Sequence, residues 1–250
     1  MKEEFLRMIE VAKSNGPKRL TVACPYHESS LLSSLMAQEE GLAIPILIGD
    51  KDKIFEAAKE SNIDISSMEL IDIKNDQEAC DKSVQMVAEG EADFIMKGLI
   101  DTAIILKSYL KPEFGMRTDK LLSHVAIFNP DNYGKILFVT DASMNIDPDL
   151  DQKRQIIQNA VDVARKMGVE TPKVAVLAAI EKVNPKMIET VEARALQEMN
   201  EQGLIHNALV AGPLALDNAI LEKAAKIKKI DHPVAGHADI IMVPNIEIGN

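Results

Sequence analysis

The chain has 250 residues and a formal net charge of −11, a balance that repels phosphate backbones and anionic lipid surfaces and so excludes nucleic acid and membrane as expected partners. Two cysteines, Cys24 and Cys80, cannot make a disulfide framework, and no stretch approaches the roughly 20 apolar residues of a membrane span. The N-terminal segment MKEEFLRMIE is charged and amphipathic and has no apolar signal-peptide core, so a soluble, cytoplasmic protein is expected.

In chain order, strand-like apolar runs occur at 20–25, 44–49, 68–73, 92–97, 125–129, 135–140, 173–180, 208–212 and 238–244. Several are nearly continuous in Val, Ile, Leu, Phe and Ala, the pattern of strands covered on both faces, as in a parallel sheet. Between them, helical periodicity predicts helices over 29–41, 51–62, 76–90, 99–111, 149–168, 185–203 and 214–229. Asn75 or Asp76 is placed to cap the helix over 76–90, and Asn184-Pro185 has the form of a helix start. This alternation marks βα units and a doubly wound α/β fold. The period breaks from Lys111 to Tyr133, where Pro112, Gly115, Pro130 and Gly134 cluster, so the chain is expected to cross there between a first α/β domain over 1–130 and a second over 131–250.

Four segments could carry chemistry. In ADFIMKGLIDTAIIL a buried strand delivers Lys97 and Gly98 beside a helix N-terminus, where free amides favour an anion and a glycine permits close approach. In GMRTDKLLSHVAIF, Arg117 suits bidentate phosphate recognition, with Thr118, Lys120, Ser123 and His124 nearby. In LFVTDASMNIDPDLDQ, Asp141, Asn145 and Asp147 follow a strand, and either Asp147 or Asp149 could simply cap the next helix. The three acids do not have the spacing of a calcium loop, and no metal is expected. GPLALDNAI and MVPNIEIGN each end a strand in turn chemistry and offer Asp217, and Asn245 and Glu247. The five histidines lack metal-ligand spacing, and the chain contains no GxxxxGK[ST], GxGxxG or GxSxG pattern.

Taken together and in order, GEADFIMKGLIDTAIILKSYL, RTDKLLSHVAIF, LFVTDASMNIDPDLDQKRQIIQNAV, NPKMIETVEA, GPLALDNAI and ADIIMVPNIEIGN resemble the phosphate acetyl/butyryltransferase family, its butyryl branch most closely. The resemblance implies two three-layer αβα domains, related in fold to isocitrate and isopropylmalate dehydrogenases, with CoA and an acyl phosphate held in the cleft between them. It implies transfer of a short-chain acyl group, butyryl favoured, between CoA and inorganic phosphate by a homodimer or larger homo-oligomer, with CoA a substrate rather than a resident cofactor. Lys97, Gly98 and Thr102 would then line the cleft, Arg117 would hold phosphate, and Ser123 would add a hydroxyl. Asp141, Asn145 and Asp147 would form the second domain's loop, and Asp217, Asn245, Glu247 and Asn250 the opposite wall. The resemblance also ties catalysis to a Ser-Arg-Ala-Asp-Ser motif in a C-terminal segment that completes the first domain. Neither Ser-Arg nor Arg-Ala-Asp occurs in residues 1–250, so the catalytic residues are not identified and slow or absent turnover is expected from this chain. The alternatives are a non-catalytic relative that binds CoA or acyl phosphate, and an NAD-dependent dehydrogenase of the related fold.

Overall fold

The computed structural model describes residues 3–250, within which Leu6–Asp119 and Lys120–Asn250 form two compact units. The first unit carries, in order, α1 (Glu3–Ser14) from Leu6 onward, β1 (Lys18–Ala23), α2 (Glu28–Glu39), β2 (Ala43–Gly49), α3 (Lys51–Glu60), β3 (Glu69–Asp72), α4 (Asp76–Ala88), β4 (Phe94–Lys97) and α5 (Thr102–Tyr109). The second carries β5 (Ala126–Phe128), β6 (Leu137–Thr140), α6 (Leu150–Lys166), β7 (Lys173–Leu177), α7 (Ile188–Glu201), β8 (Leu209–Leu214), α8 (Leu216–Ile220), α9 (Glu222–Lys228), β9 (Ile240–Met242) and α10 (Ile246–Gly249).

In the first unit four parallel strands take the order β3-β2-β1-β4. Successive side chains on a strand point to opposite faces. Leu20, Val22 and Leu47 therefore pack with Leu31 of α2 and Ile54 of α3, while Ala23, Ile46 and Ile48 pack with Ala79 and Cys80 of α4. The second unit repeats the arrangement around the order β5-β6-β9-β7-β8. Phe138, Val174, Val176, Ile240 and Met242 face α6 and α7, and Ala175, Leu177, Ala211 and Ile241 face the α8–α9 side. Each unit is thus a helix–sheet–helix sandwich.

All nine strand runs form strands, but not all are parallel: β5 pairs antiparallel to β6, with Ile127 opposite Phe138. That pairing binds 126–128 into the second sheet, and the division between units falls at Asp119/Lys120, whereas the sequence reading drew it at 130. The helix expected over 214–229 is two helices, because Leu221 is extended (φ −116°, ψ 112°) and ends one while opening the next. The helix expected from 185 begins at Ile188. Asn184 instead builds the turn before it, its side chain accepting from Lys186 N and its backbone carbonyl from Thr190 Oγ1. Asn75 caps α4, and Asp149, not Asp147, caps α6 in a reciprocal box with Gln152.

Candidate functional site

In open α/β sheets, ligands bind beyond the strand C-termini where neighbouring connections diverge. The first unit diverges between β1 and β4. The chain leaves β1 toward β2 on one side, and β4 lies on the other. A cavity of about 370 Å³ opens at that point, lined by His27, Ser29, Ser30, Ser33, Met96, Lys97, Gly98 and Leu99. His27 begins α2, its Nδ1 accepting from Ser29 N at 3.2 Å. Ser30 is committed to His27 O at 2.8 Å, whereas Ser33 is exposed. Lys97 ends β4 and is exposed, its Nζ donating to the carbonyls of Gly98 (3.2 Å) and Ile100 (2.9 Å). The ammonium thus folds over its own loop and, among the described residues, bonds to neutral carbonyls that an anion could replace.

Gly98 is required by the protein itself as much as by any ligand. A Cβ there would meet Cys24 O at 2.1 Å and Ala23 O at 2.7 Å. The closeness lets Gly98 N donate to Ala23 O at 2.7 Å and Leu99 N to Cys24 O at 3.1 Å, which seats the Lys97 loop on the end of β1. Beyond Pro25, Tyr26 Oη donates to Asp76 Oδ1 and accepts from Asp50 N, each at 2.9 Å. Burial pushes this phenol well above its usual range, so it stays a neutral donor that fixes the β1–α2 turn. Thr102 is the first residue of α5, exposed behind the cap Asp101, whose side chain accepts from Ala103 N. Arg117 is exposed in the irregular segment after α5.

The second unit has its own strand-end corner. The connection after β6 passes across β9 to β7, while the chain after β9 turns back over the β6 loop. Asp141, 1% exposed, organises this corner: Oδ1 accepts from Ser143 N (3.0 Å) and Met144 N (2.9 Å), and Oδ2 from His124 N (3.1 Å) and Asn145 Nδ2 (2.6 Å). Four donors on a buried carboxylate describe a group that holds a loop in shape. Thr140 Oγ1 donates to His124 O, and Asn145 Nδ2 also reaches Leu122 O. Ser123 Oγ accepts from Asn159 Nδ2 at 2.9 Å. Asp141 and Asn145 therefore belong to one network, while Ser123 is held apart from it by Asn159 of α6. Asn245 caps α10 through Ile248 N. That turn docks on the β6 loop, since Ile246 N donates to Ile146 O and Gly249 has room for only a hydrogen against Ala142. Glu247 and Asn250 stand exposed on it, as does Asp147 on its own loop. Asp217 is exposed on α8, its Oδ1 bonded to Asn218 N, and among the described residues no hydrogen bond joins it to the Asp141 network. Among the described residues no three His, Cys, Asp or Glu side chains converge as metal ligands, and no helix is long and apolar enough to cross a membrane.

Sequence reasoning missed the α2 wall of the first corner. The signal was present in CPYHESSLLSS, where a strand runs into a proline and then a helix start rich in hydroxyls.

Two three-layer α/β units, each with polar loops at a sheet switch point, define the class: a doubly wound α/β protein. The chain belongs to the family described as phosphate acetyl/butaryl transferase, whose model matches residues 77–250. It is 42% identical to a phosphate butyryltransferase of Clostridium beijerinckii over 100% of this chain and 83% of that one. It is 41% identical to a phosphate acetyltransferase of Rhizobium meliloti over 99% of this chain and 78% of that one. Among solved structures it is similar to a branched-chain phosphotransacylase from Enterococcus faecalis V583 (TM-score 0.81, 32% identity, 93% of this chain and 81% of that one). A 4-hydroxythreonine-4-phosphate dehydrogenase from Klebsiella pneumoniae shares the fold alone, at TM-score 0.55 and 11% identity over 93% of this chain and 82% of that one. The family is one of phosphate acyltransferases, and relatives of near-equal identity carry different acyl names.

Proposed function

We propose that the protein transfers a short-chain acyl group, butyryl favoured, between CoA and inorganic phosphate. The observation that carries this reading is the β1–β4 corner, where the Lys97 ammonium and hydroxyls at the α2 start share one cavity in a chain of this family. In the forward direction a phosphate oxygen attacks the thioester carbonyl carbon, the C–S bond breaks, and CoA leaves as a thiolate that takes up a proton. In reverse, a carboxylate removes the thiol proton and the thiolate displaces phosphate from the acyl phosphate. Both directions build negative charge on the carbonyl oxygen and on phosphate, so positioned cationic and amide donors lower the barrier.

Lys97 supplies charge to the phosphate-bearing part of a substrate, and Thr102 and Arg117 add donors on the same unit. Gly98 holds the loop down against β1. Asp141 shapes the β6 loop so that Asn145 is fixed, and Asn159 fixes Ser123, with Asp147, Asp217, Asn245, Glu247 and Asn250 as further polar contacts. CoA enters as a substrate, and the working form is a cytoplasmic homodimer or larger homo-oligomer. The butyryl preference is tested by kcat/KM across acetyl-, propionyl- and butyryl-CoA. Each buried methylene is worth about 0.8 kcal/mol, or about fourfold, so a rise of that size per carbon supports butyryl. A flat or falling series refutes the preference and leaves the transferase reading standing.

A further inference from the structure

The acyl-transfer reading uses neither cysteine, yet the fold brings the chain's two thiols together. Cys24 follows the last residue of β1 and Cys80 lies on α4, and both are fully buried, free, and members of one core cluster. Cys24 Sγ lies 3.8 Å from the carbonyl oxygen of Asp76, the first residue of α4. Cys80 is four positions further on, and a helical side chain leans toward the helix N-terminus, which brings the Cys80 thiol back over that same carbonyl. Sharing one buried cluster and approaching one carbonyl, the two thiols are neighbours in the core. A core needs only apolar volume at these positions, and nothing in the packing requires sulfur against sulfur.

We propose that Cys24 and Cys80 form a redox-modification site, closed into an intramolecular disulfide by a peroxide-class oxidant. Cys24 sulfur attacks one oxygen of hydrogen peroxide, the O–O bond breaks, and Cys24 sulfenic acid and one water result. Cys80 sulfur then attacks Cys24 sulfur, the S–O bond breaks, a second water leaves, and the disulfide forms. Two thiols are oxidised and one peroxide is reduced. The roles follow from position: Cys24 lies in the loop after β1, which local opening frees more readily than the interior of α4, where Cys80 lies. Cys24 is thus the attacking sulfur and Cys80 the resolving one. Because neither sulfur is exposed, oxidation proceeds through local opening of the β1–α4 contact and quickens in mild denaturant. The bond would tie α4 to the backbone on which the Lys97 loop sits, since Cys24 O accepts from Leu99 N.

The test is intact mass spectrometry of the purified chain after hydrogen peroxide, with free thiols then alkylated by N-ethylmaleimide in denaturant. The expected product is monomeric, lighter by two hydrogens, free of maleimide adducts, and restored by dithiothreitol. Cys80→Ser should instead accumulate a dimedone-reactive sulfenic acid at Cys24, while Cys24→Ser leaves Cys80 unmodified over the same time. Retention of both maleimide adducts, conversion to sulfinic acid without a disulfide, or a disulfide only between chains would each overturn the proposal. The wild-type mass decides it even if a variant fails to fold.

Discussion

At the residue scale, Gly98 shows how one missing atom positions a site. Its absent Cβ would sit 2.1 Å from a backbone oxygen, which cannot swing away as a side chain could. Gly98→Ala should therefore cost about 3 kcal/mol or more in a urea melt, above the usual range for overpacking, and should weaken binding at the Lys97 loop. A loss below about 1 kcal/mol would show that the loop is not seated on β1 as described. His232 gives a pH prediction. Burial is the main cause holding its pKa below the ordinary value, and its Nδ1 accepts from Val234 N, as a neutral imidazole can. The unfolded chain then binds the proton more readily than the folded one. The stabilising contribution is complete above the unfolded value of about 6.5 and is lost as pH falls through the depressed folded value. Urea midpoints should drop between about pH 7.5 and pH 5.5, and His232→Gln should flatten that part of the slope. Residue roles were less legible than residue positions. Lys97 and Gly98 could be placed at a strand end from sequence, but Asp141 reads as a possible ligand until its four internal donors are seen.

At the element scale, the strands were readable because continuous Val, Ile and Leu runs have few other uses in a globular chain. The antiparallel direction of β5 was not, since a short apolar run carries no mark of its orientation. Nor was the break at Leu221 legible: LDNAILEKAAKIKK contains no glycine or proline, and the interruption accompanies tight packing of Gly236 on the Glu222 backbone. The N-terminal segment reads as charged and amphipathic, yet the helix candidates begin only at 29, whereas α1 spans Glu3–Ser14. Helix-to-helix contact is testable at Lys153, on α6 and only 5% exposed, whose Nζ pairs with Glu192 on α7. Glu192→Ala strands a buried ammonium. The loss should be about 2–3 kcal/mol, somewhat below the figure of about 3–5 kcal/mol for fully buried pairs, because the Glu192 side chain is 22% exposed. Lys153→Met, which removes the charge and keeps the length, should stay within about 1 kcal/mol of wild type in the same chemical melt. Equal losses from the two would show that packing, not the uncompensated charge, sets the cost.

At the scale of the whole molecule, the two units repeat one physical plan: a mostly parallel sheet covered on both faces, with polar loops where strand connections diverge. That plan and the family were legible in the ordered series of motifs. The cavity at the β1–β4 corner was not, because its α2 wall lies far along the chain from Lys97 and meets it only in the folded sheet. The central claim, acyl transfer between CoA and phosphate, is tested most directly by thiol release from butyryl-CoA. The purified protein is followed with a thiol-reactive dye, with and without inorganic phosphate, in the wild type and in Lys97→Ala. Phosphate-dependent CoA release is the predicted result, with kcat/KM for phosphate lowered about tenfold or more by the substitution, as expected for a lost charge-assisted hydrogen bond. A folded protein that frees no CoA when phosphate is added would contradict the transferase reading. If CoA still raised its melting temperature, an acyl-CoA-binding role would stand in its place.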